Sequence, residues 1–131
     1  MKKIILLTLS LIITFYLIAQ EKAQTKISSV IQKGETIRYS LSSSQPFIVG
    51  NNRYILHIGD RGFSQYEQSK SKGTGLITFL IPVTDFNDLP DGKSVFLTYG
   101  SVSEDADLES LANKSTRCWF IGKFEKDILT K

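Results

Sequence analysis

The sequence predicts an all-β domain, arranged as a two-layer antiparallel sandwich. Short segments that alternate apolar and polar residues recur along the chain, and alternation with a period of two is typical of half-buried strands. Clusters of Gly, Pro, Asn, Asp and Ser separate these segments, as turns require. Apolar residues at helical spacing occur only once, so one short connecting helix is expected near residues 103–114.

The first 20 residues differ in composition from the rest of the chain. Met1, Lys2 and Lys3 give a positive start, and the next 16 residues are apolar apart from three hydroxyl side chains. This is the layout of a secretory signal peptide, and the apolar run is shorter than the roughly 20 residues of a membrane-spanning helix. We predict a signal peptide over 1–20, cleaved near Ala19 or Gln20, and a single domain over 21–131.

The first half of the domain reads as strands joined by turns. Gly34 supplies the backbone freedom for one tight turn, and residues 50–52 suit another. Residues 63–68 hold few apolar side chains, which places them at a sheet edge. The predicted strands are 27–31, 36–41, 47–49, 53–58 and the edge strand 63–68.

The second half opens with a polar, glycine-rich stretch, 69–75, expected to form a mobile loop. Residues 76–83 are apolar on nearly both faces, as in a central strand. A corner over 84–92 then leads to a strand over 94–99, the helix, and a last strand over 117–124, where Gly122 suits a bulge. Such spacing is typical of an immunoglobulin-like sandwich, a likeness of architecture only, because the Cys, Trp, Cys spacing of true immunoglobulin domains is absent.

Charge and cysteine content narrow the function. The net charge of +3 includes both lysines of the signal segment, so the domain itself is nearly neutral and nucleic-acid binding is not expected. A single cysteine excludes an intramolecular disulfide framework. Cys118 lies in an apolar run and is interpreted as a small buried residue, with a reactive thiol as the alternative.

The sequence offers little for catalysis. His57 is the only histidine, and it lies in an alternating segment where a packed or surface role is expected. A serine hydrolase would need Ser64 with Asp60 or Asp85 from elsewhere, and no Gly-x-Ser-x-Gly motif is present. The acids at 105–109 depart from a calcium loop at its sixth and twelfth positions. We predict no enzyme, no metal and no cofactor.

Aromatic content favours a binding module. Twelve aromatic residues follow the signal segment, and aromatic side chains on a β surface commonly anchor partners. We therefore predict an exported bacterial protein, periplasmic or extracellular, that contacts an unknown protein or glycan of the cell envelope. Membrane contact is expected only through an uncleaved signal segment. The candidate partner-binding residues are Tyr54, Tyr66, Lys70, Lys72 and Trp119.

Two alternatives remain open. The first alternative to a binding module is a structural accessory of an envelope assembly, which pairs through an edge strand at 63–68 or 117–124. The second is a small enzyme inhibitor or immunity-type protein. The inhibitor alternative needs a plugging loop, and residues 69–75 are its one candidate in the sequence.

Overall fold

The structure, a computed structural model, describes residues 24–71, 74–103 and 105–129, without the side chains of Lys70 and Ser71. The predicted signal peptide, residues 1–20, lies outside the described residues. The described residues form seven strands, two short helices and a 3-10 turn at Lys126–Ile128. The strands are β1 (Thr25–Lys33), β2 (Thr36–Ser43), β3 (Tyr54–Ile58), β4 (Arg61–Ser71), β5 (Thr74–Pro82), β6 (Ser94–Tyr99) and β7 (Cys118–Lys123), and the helices are α1 (Val83–Asp88) and α2 (Leu108–Lys114).

All seven strands belong to one curled antiparallel sheet with the order β1-β2-β5-β4-β3-β6-β7. The all-β prediction is confirmed, whereas the two-layer sandwich is not, because the ladder continues unbroken around a half-barrel. Seven strands of alternating direction leave the edge strands β1 and β7 running the same way. These two edges approach each other. Because they run in the same direction, they cannot form the antiparallel pair that would close the sheet.

Strand β4 forms the corner of the curl. Its first residues pair with β3, from Arg61 to Ser64, and its later residues pair with β5, starting at Gln65. A register shift between Gln65 and Glu67 marks a bulge at the change of partner, and bulges bend and twist a strand locally. The prediction of an edge strand at 63–68 is therefore wrong, since β4 has a neighbour on each side.

Side-chain amides replace the strand ladder where β4 leaves β3. The Tyr54 backbone N–H donates to Gln65 Oε1 at 2.7 Å, and Gln68 Nε2 donates to the same oxygen at 3.3 Å. Gln68 Nε2 also donates to the Ile48 carbonyl at 3.2 Å, which ties the loop before β3 to the corner. These bonds satisfy backbone groups that the bend would otherwise leave without partners.

The concave face of the sheet holds the core. Alternate residues of the central strands point into this face. Those of β5, which was predicted to be a central strand, are Ile77, Phe79 and Ile81, and all three are fully buried. Helix α1 lies at one end of the half-barrel, where Phe86 packs edge-to-face on Phe124 at 5.3 Å between ring centroids. The fully buried core side chains include Tyr39, Leu41, Tyr54, Leu56, Ile77, Phe79, Ile81 and Leu97.

Two connections differ from the predictions. The stretch 69–75 is a hairpin and not a long loop, because β4 and β5 stay paired up to Ser71 and Thr74. The predicted helix at 103–114 begins later, at Leu108, since the Asp107 side chain accepts a hydrogen bond from the Ser110 N–H and caps the first turn. Ser103 instead accepts from the Asp105 N–H in the preceding turn.

Candidate binding site

Two of the five predicted partner-binding residues lie in the core. Tyr54 is 1% exposed and Trp119 is 9% exposed, so neither presents its ring to a partner. Both belong to an aromatic cluster in which the Tyr54 ring lies 5.2 Å from Phe47, 4.8 Å from Tyr99 and 5.9 Å from Trp119. The Tyr54 hydroxyl accepts from the Ile48 N–H at 2.8 Å, and burial raises the pKa of this phenol.

Tyr66 and the backbone of Lys70 lie on the corner strand β4. Tyr66 is 54% exposed at the bulge of β4, so it keeps a surface available to a partner. The Lys70 side chain and Lys72 lie outside the described residues. The structure therefore separates Tyr66 from Tyr54 and Trp119, which the sequence analysis had grouped with it on one binding surface.

The two edges of the sheet differ in character. Strand β1 carries Lys26 and Lys33 together with several serines and a bulge, the features by which natural edges discourage pairing. Strand β7, with the sequence CWFIGK, is apolar over four of its six residues. Strand β7 also has a bulge, opposite Val95 and Phe96, and the sequence analysis had suggested a bulge at Gly122. Gly122 adopts a φ of 146°. The β7 edge is the less protected of the two.

Phe120 is the exposed apolar residue of this edge, and the sequence analysis missed it. Its ring is 52% exposed and packs against Phe96 on the convex face, 5.4 Å between centroids. The signal was available, because Phe120 alternates with Trp119 and only one of the two can face the core. Since Leu97 faces Trp119 across the ladder, Phe120 points to the convex side.

A shallow groove of about 340 Å³ runs beside Phe120 between β6, β7 and helix α2. Phe96 forms its floor, while Ala112 and Glu109 of α2 form one wall. Lys123 lies at the end of the groove and donates from Nζ to Ser94 Oγ at 3.0 Å. We call Phe120, Phe96 and this groove the β7 apolar strip.

Cations flank β7 at both ends. Arg117 is exposed just before the strand, and its guanidinium lies over the Tyr99 ring at 5.5 Å. Lys123 is exposed at the last position of the strand. Neither cation forms an ion pair with a described residue. The salt bridge in the described part of the chain joins Arg61 and Asp85 at 3.3 Å. The β7 edge therefore has an exposed cation at each end, and one acid, Glu109, lines the groove beside it.

Both edge strands also hold a buried polar atom that has no hydrogen-bond partner among the described residues. These are Nε1 of Trp119 on β7 and Oγ1 of Thr25 on β1. The register places both residues at the same end of the half-barrel, since Thr25 pairs with Ser43 and Trp119 with Leu97. Buried polar groups are usually satisfied, so these two atoms are exceptions within the described part of the chain.

His57 lies on the convex face in a cavity of about 630 Å³, between β3, β4 and the segment before α2. Its Nε2 is within 2.8 Å of Thr98 Oγ1, and burial lowers the pKa of the imidazole. Asp60 and Ser64 line the same cavity, so the structure brings together three of the residues considered for a hydrolase. The hydrogen bond of His57 is nevertheless to Thr98, a fully buried residue, and not to Ser64.

Cys118 is buried, and its thiol donates to the Leu108 carbonyl at 3.6 Å, which agrees with its interpretation as a small packed residue. In the described part of the chain no group of three or more His, Cys, Asp or Glu side chains is placed to hold a metal ion. Within the same residues, no helix has the length and hydropathy to cross a membrane.

Comparison with known proteins gives no relative from which a role can be transferred. No protein-family model, no curated protein and no solved structure matches the chain.

Proposed function

We propose that the protein is an exported, non-enzymatic binding module that contacts a protein of the cell envelope through strand β7. One observation carries the proposal: an edge strand that is apolar over four of its six residues, with the exposed ring of Phe120, lies at the end of the sheet. An exposed edge of this kind invites pairing with another chain.

Strand addition supplies both affinity and selectivity. Arg117 and Tyr99 share a backbone hydrogen bond, so the antiparallel alternation directs the N–H and C=O of Phe120 away from β6, toward the edge. A partner strand bonds to these groups, and its side chains settle against the β7 apolar strip. A glycan offers no backbone donors and acceptors at strand spacing, so a protein partner fits this edge better.

Export follows from the layout of the first 20 residues, with a positive start and an apolar run too short to span a bilayer. The intact mass of the exported protein is expected to be about 2 kDa below that of the full chain, as removal of such a segment requires. A full-length chain held in the membrane fraction contradicts this part of the proposal.

We keep the two-layer, immunoglobulin-like arrangement as part of the proposal. The support is the corner in β4, because strands that change partner at a bulge form the corners of packed sheets. An experimental structure tests it: the β1-β2-β5 and β3-β6-β7 portions should face each other about 10 Å apart, as packed sheets do. Two portions that do not pack face to face contradict the two-layer arrangement.

A matched pair of variants tests the β7 contact. Phe120→Asp places a charge on the apolar strip, whereas Tyr66→Asp places the same charge at an equally exposed aromatic position on β4. In pull-downs from envelope extracts, proteins captured by the wild type should be lost with Phe120→Asp and kept with Tyr66→Asp. The reverse pattern assigns the contact to Tyr66, and identical capture by all three proteins rejects both surfaces.

The edge strand also supports the alternative of a structural accessory in an envelope assembly, because β7 overlaps the predicted edge 117–124. Native size distinguishes the two roles: stable co-purification with a large complex favours the accessory, and a monomer with reversible partners favours the binding module. The inhibitor alternative needs a plugging loop at 69–75, and in this stretch β4 and β5 stay paired up to Ser71 and Thr74.

A further inference from the structure

We propose that the segment bound at β7 is an extended peptide with an apolar centre and an acidic residue at each end. This inference rests on the proposed function and specifies the partner. The β7 apolar strip lies between Arg117 and Lys123, and an incoming strand must pass both cations. Opposite charges across a strand pair stabilise the pairing, and like charges oppose it.

Strand β6 shows what spacing the acids need. On the paired side of β7, Ser94 faces Lys123, and the Tyr99 N–H bonds to the Arg117 carbonyl, so residues five apart span the two cations. Arg117 and Lys123 themselves are six positions apart, and the extra residue is the bulge in β7. A partner strand of matching form therefore carries acids at its first and sixth positions, about 17 Å apart at strand rise, with an apolar residue at the third position, beside Phe120.

The same charges disfavour a second copy of this chain as the occupant. Two β7 strands pairing antiparallel about Phe120 place Arg117 of each copy beside Lys123 of the other. Such a dimer brings like charges together twice. An acidic residue beside each cation avoids this repulsion, although the partner also passes Glu109 in the same groove.

The direction of the bound strand follows from the pairing in this sheet. Every neighbouring pair of strands is antiparallel, so a strand added to β7 is expected to run antiparallel to it. The peptide then enters with its C-terminal end near Arg117 and its N-terminal end near Lys123. Trp119, the single tryptophan of the chain, lies at the Arg117 end and reports on this direction.

Synthetic peptides test the proposal on the exported wild-type protein. One peptide has glutamates at its first and sixth positions and alternating threonine and valine between them, and its matched control has lysines at those positions. Calorimetry should show the glutamate peptide binding about tenfold more tightly, the combined effect of two cross-strand charge pairs. A nitroxide on the C-terminal end should quench Trp119 fluorescence more than one on the N-terminal end.

A charge-reversed protein provides the reciprocal test. The double variant Arg117→Glu and Lys123→Glu should prefer the lysine peptide, whereas Arg38→Glu, on the distant strand β2, should keep the wild-type preference. Binding that Phe120→Asp abolishes, but that does not distinguish the two peptides, overturns the acidic partner and leaves the β7 contact standing. If neither peptide binds at β7 and no envelope protein depends on Phe120, the proposed function fails as well. Dimerisation of the wild type that Phe120→Asp abolishes shows that a second copy is the occupant and overturns the acidic partner.

Discussion

Gln65 is a single polar residue on which the curl of the sheet depends. Its Oε1 accepts the Tyr54 N–H where β4 has left β3, so no strand neighbour can replace it. Gln65→Leu should lower the free energy of unfolding by about 1–3 kcal/mol, because a part-buried N–H loses its acceptor. Urea unfolding measures the loss. Gln32→Leu, on the exposed edge strand β1, is the control and should change stability by less than about 0.5 kcal/mol.

His57 makes stability depend on pH. Burial lowers the pKa of its imidazole below the value of about 6.5 in an unfolded chain. The unfolded state therefore binds the proton more readily, so the contribution of His57 is complete above about pH 6.5 and declines as the pH falls toward the folded pKa. His57→Gln should flatten the dependence of Tm on pH between about 7.5 and 5. An unchanged slope in the variant assigns the dependence to other groups.

Neighbouring aromatic residues show the reach of sequence analysis at this scale. Alternation in 53–58 puts Tyr54, Leu56 and Ile58 on one face, and that face is the core, although Tyr54 was predicted to contact a partner. The same alternation puts Trp119 and Phe120 on opposite faces without saying which face is buried, because both are large and apolar. The pairing of Trp119 with Leu97 settles it, and pairing between distant strands is not visible in a single sequence.

Helix α2 is a short element whose start depends on its cap. The Asp107 carboxylate accepts the Ser110 N–H at 3.3 Å. Asp107→Ala should lower the free energy of unfolding by about 1 kcal/mol, since the N–H then loses its partner within the protein. Asp105→Ala removes an acid of the same type two positions earlier and is the matched control, expected within about 0.5 kcal/mol of wild type. Equal losses in thermal unfolding contradict the capping role.

The strands were predictable where burial is two-sided or strictly alternating. Residues 76–83 were expected to form a central strand, and β5 lies between β2 and β4. Strand β4 was predicted at an edge because it has few apolar residues. It pairs with β3 and with β5, and its polar side chains also form bonds: Gln65 to β3 and Gln68 to the loop before β3. Helix α1 begins directly after Pro82 and has only 6 residues, which is too short to show a helical period.

The whole molecule is a half-barrel because of how its strands pair. The local sequence does not show that β4 changes partner between Ser64 and Gln65, so a two-layer sandwich and a curled sheet have the same strand pattern. Seven antiparallel strands leave two edges of the same direction. Strand β1 carries two lysines, whereas β7 is apolar over four of its six residues and carries Lys123 at its end. This asymmetry is the basis for assigning the partner contact to β7.

Hydrogen exchange of the Phe120 backbone amide tests the β7 contact most directly. We expect this amide to exchange rapidly in the protein alone, because it points to the edge of the sheet, and at least about tenfold more slowly with the glutamate peptide or a captured envelope protein bound. The amide of Val49, on an exposed loop, should keep its rate. A bound complex in which Phe120 exchanges at its original rate, with protection elsewhere, contradicts the assignment of β7 as the contact surface.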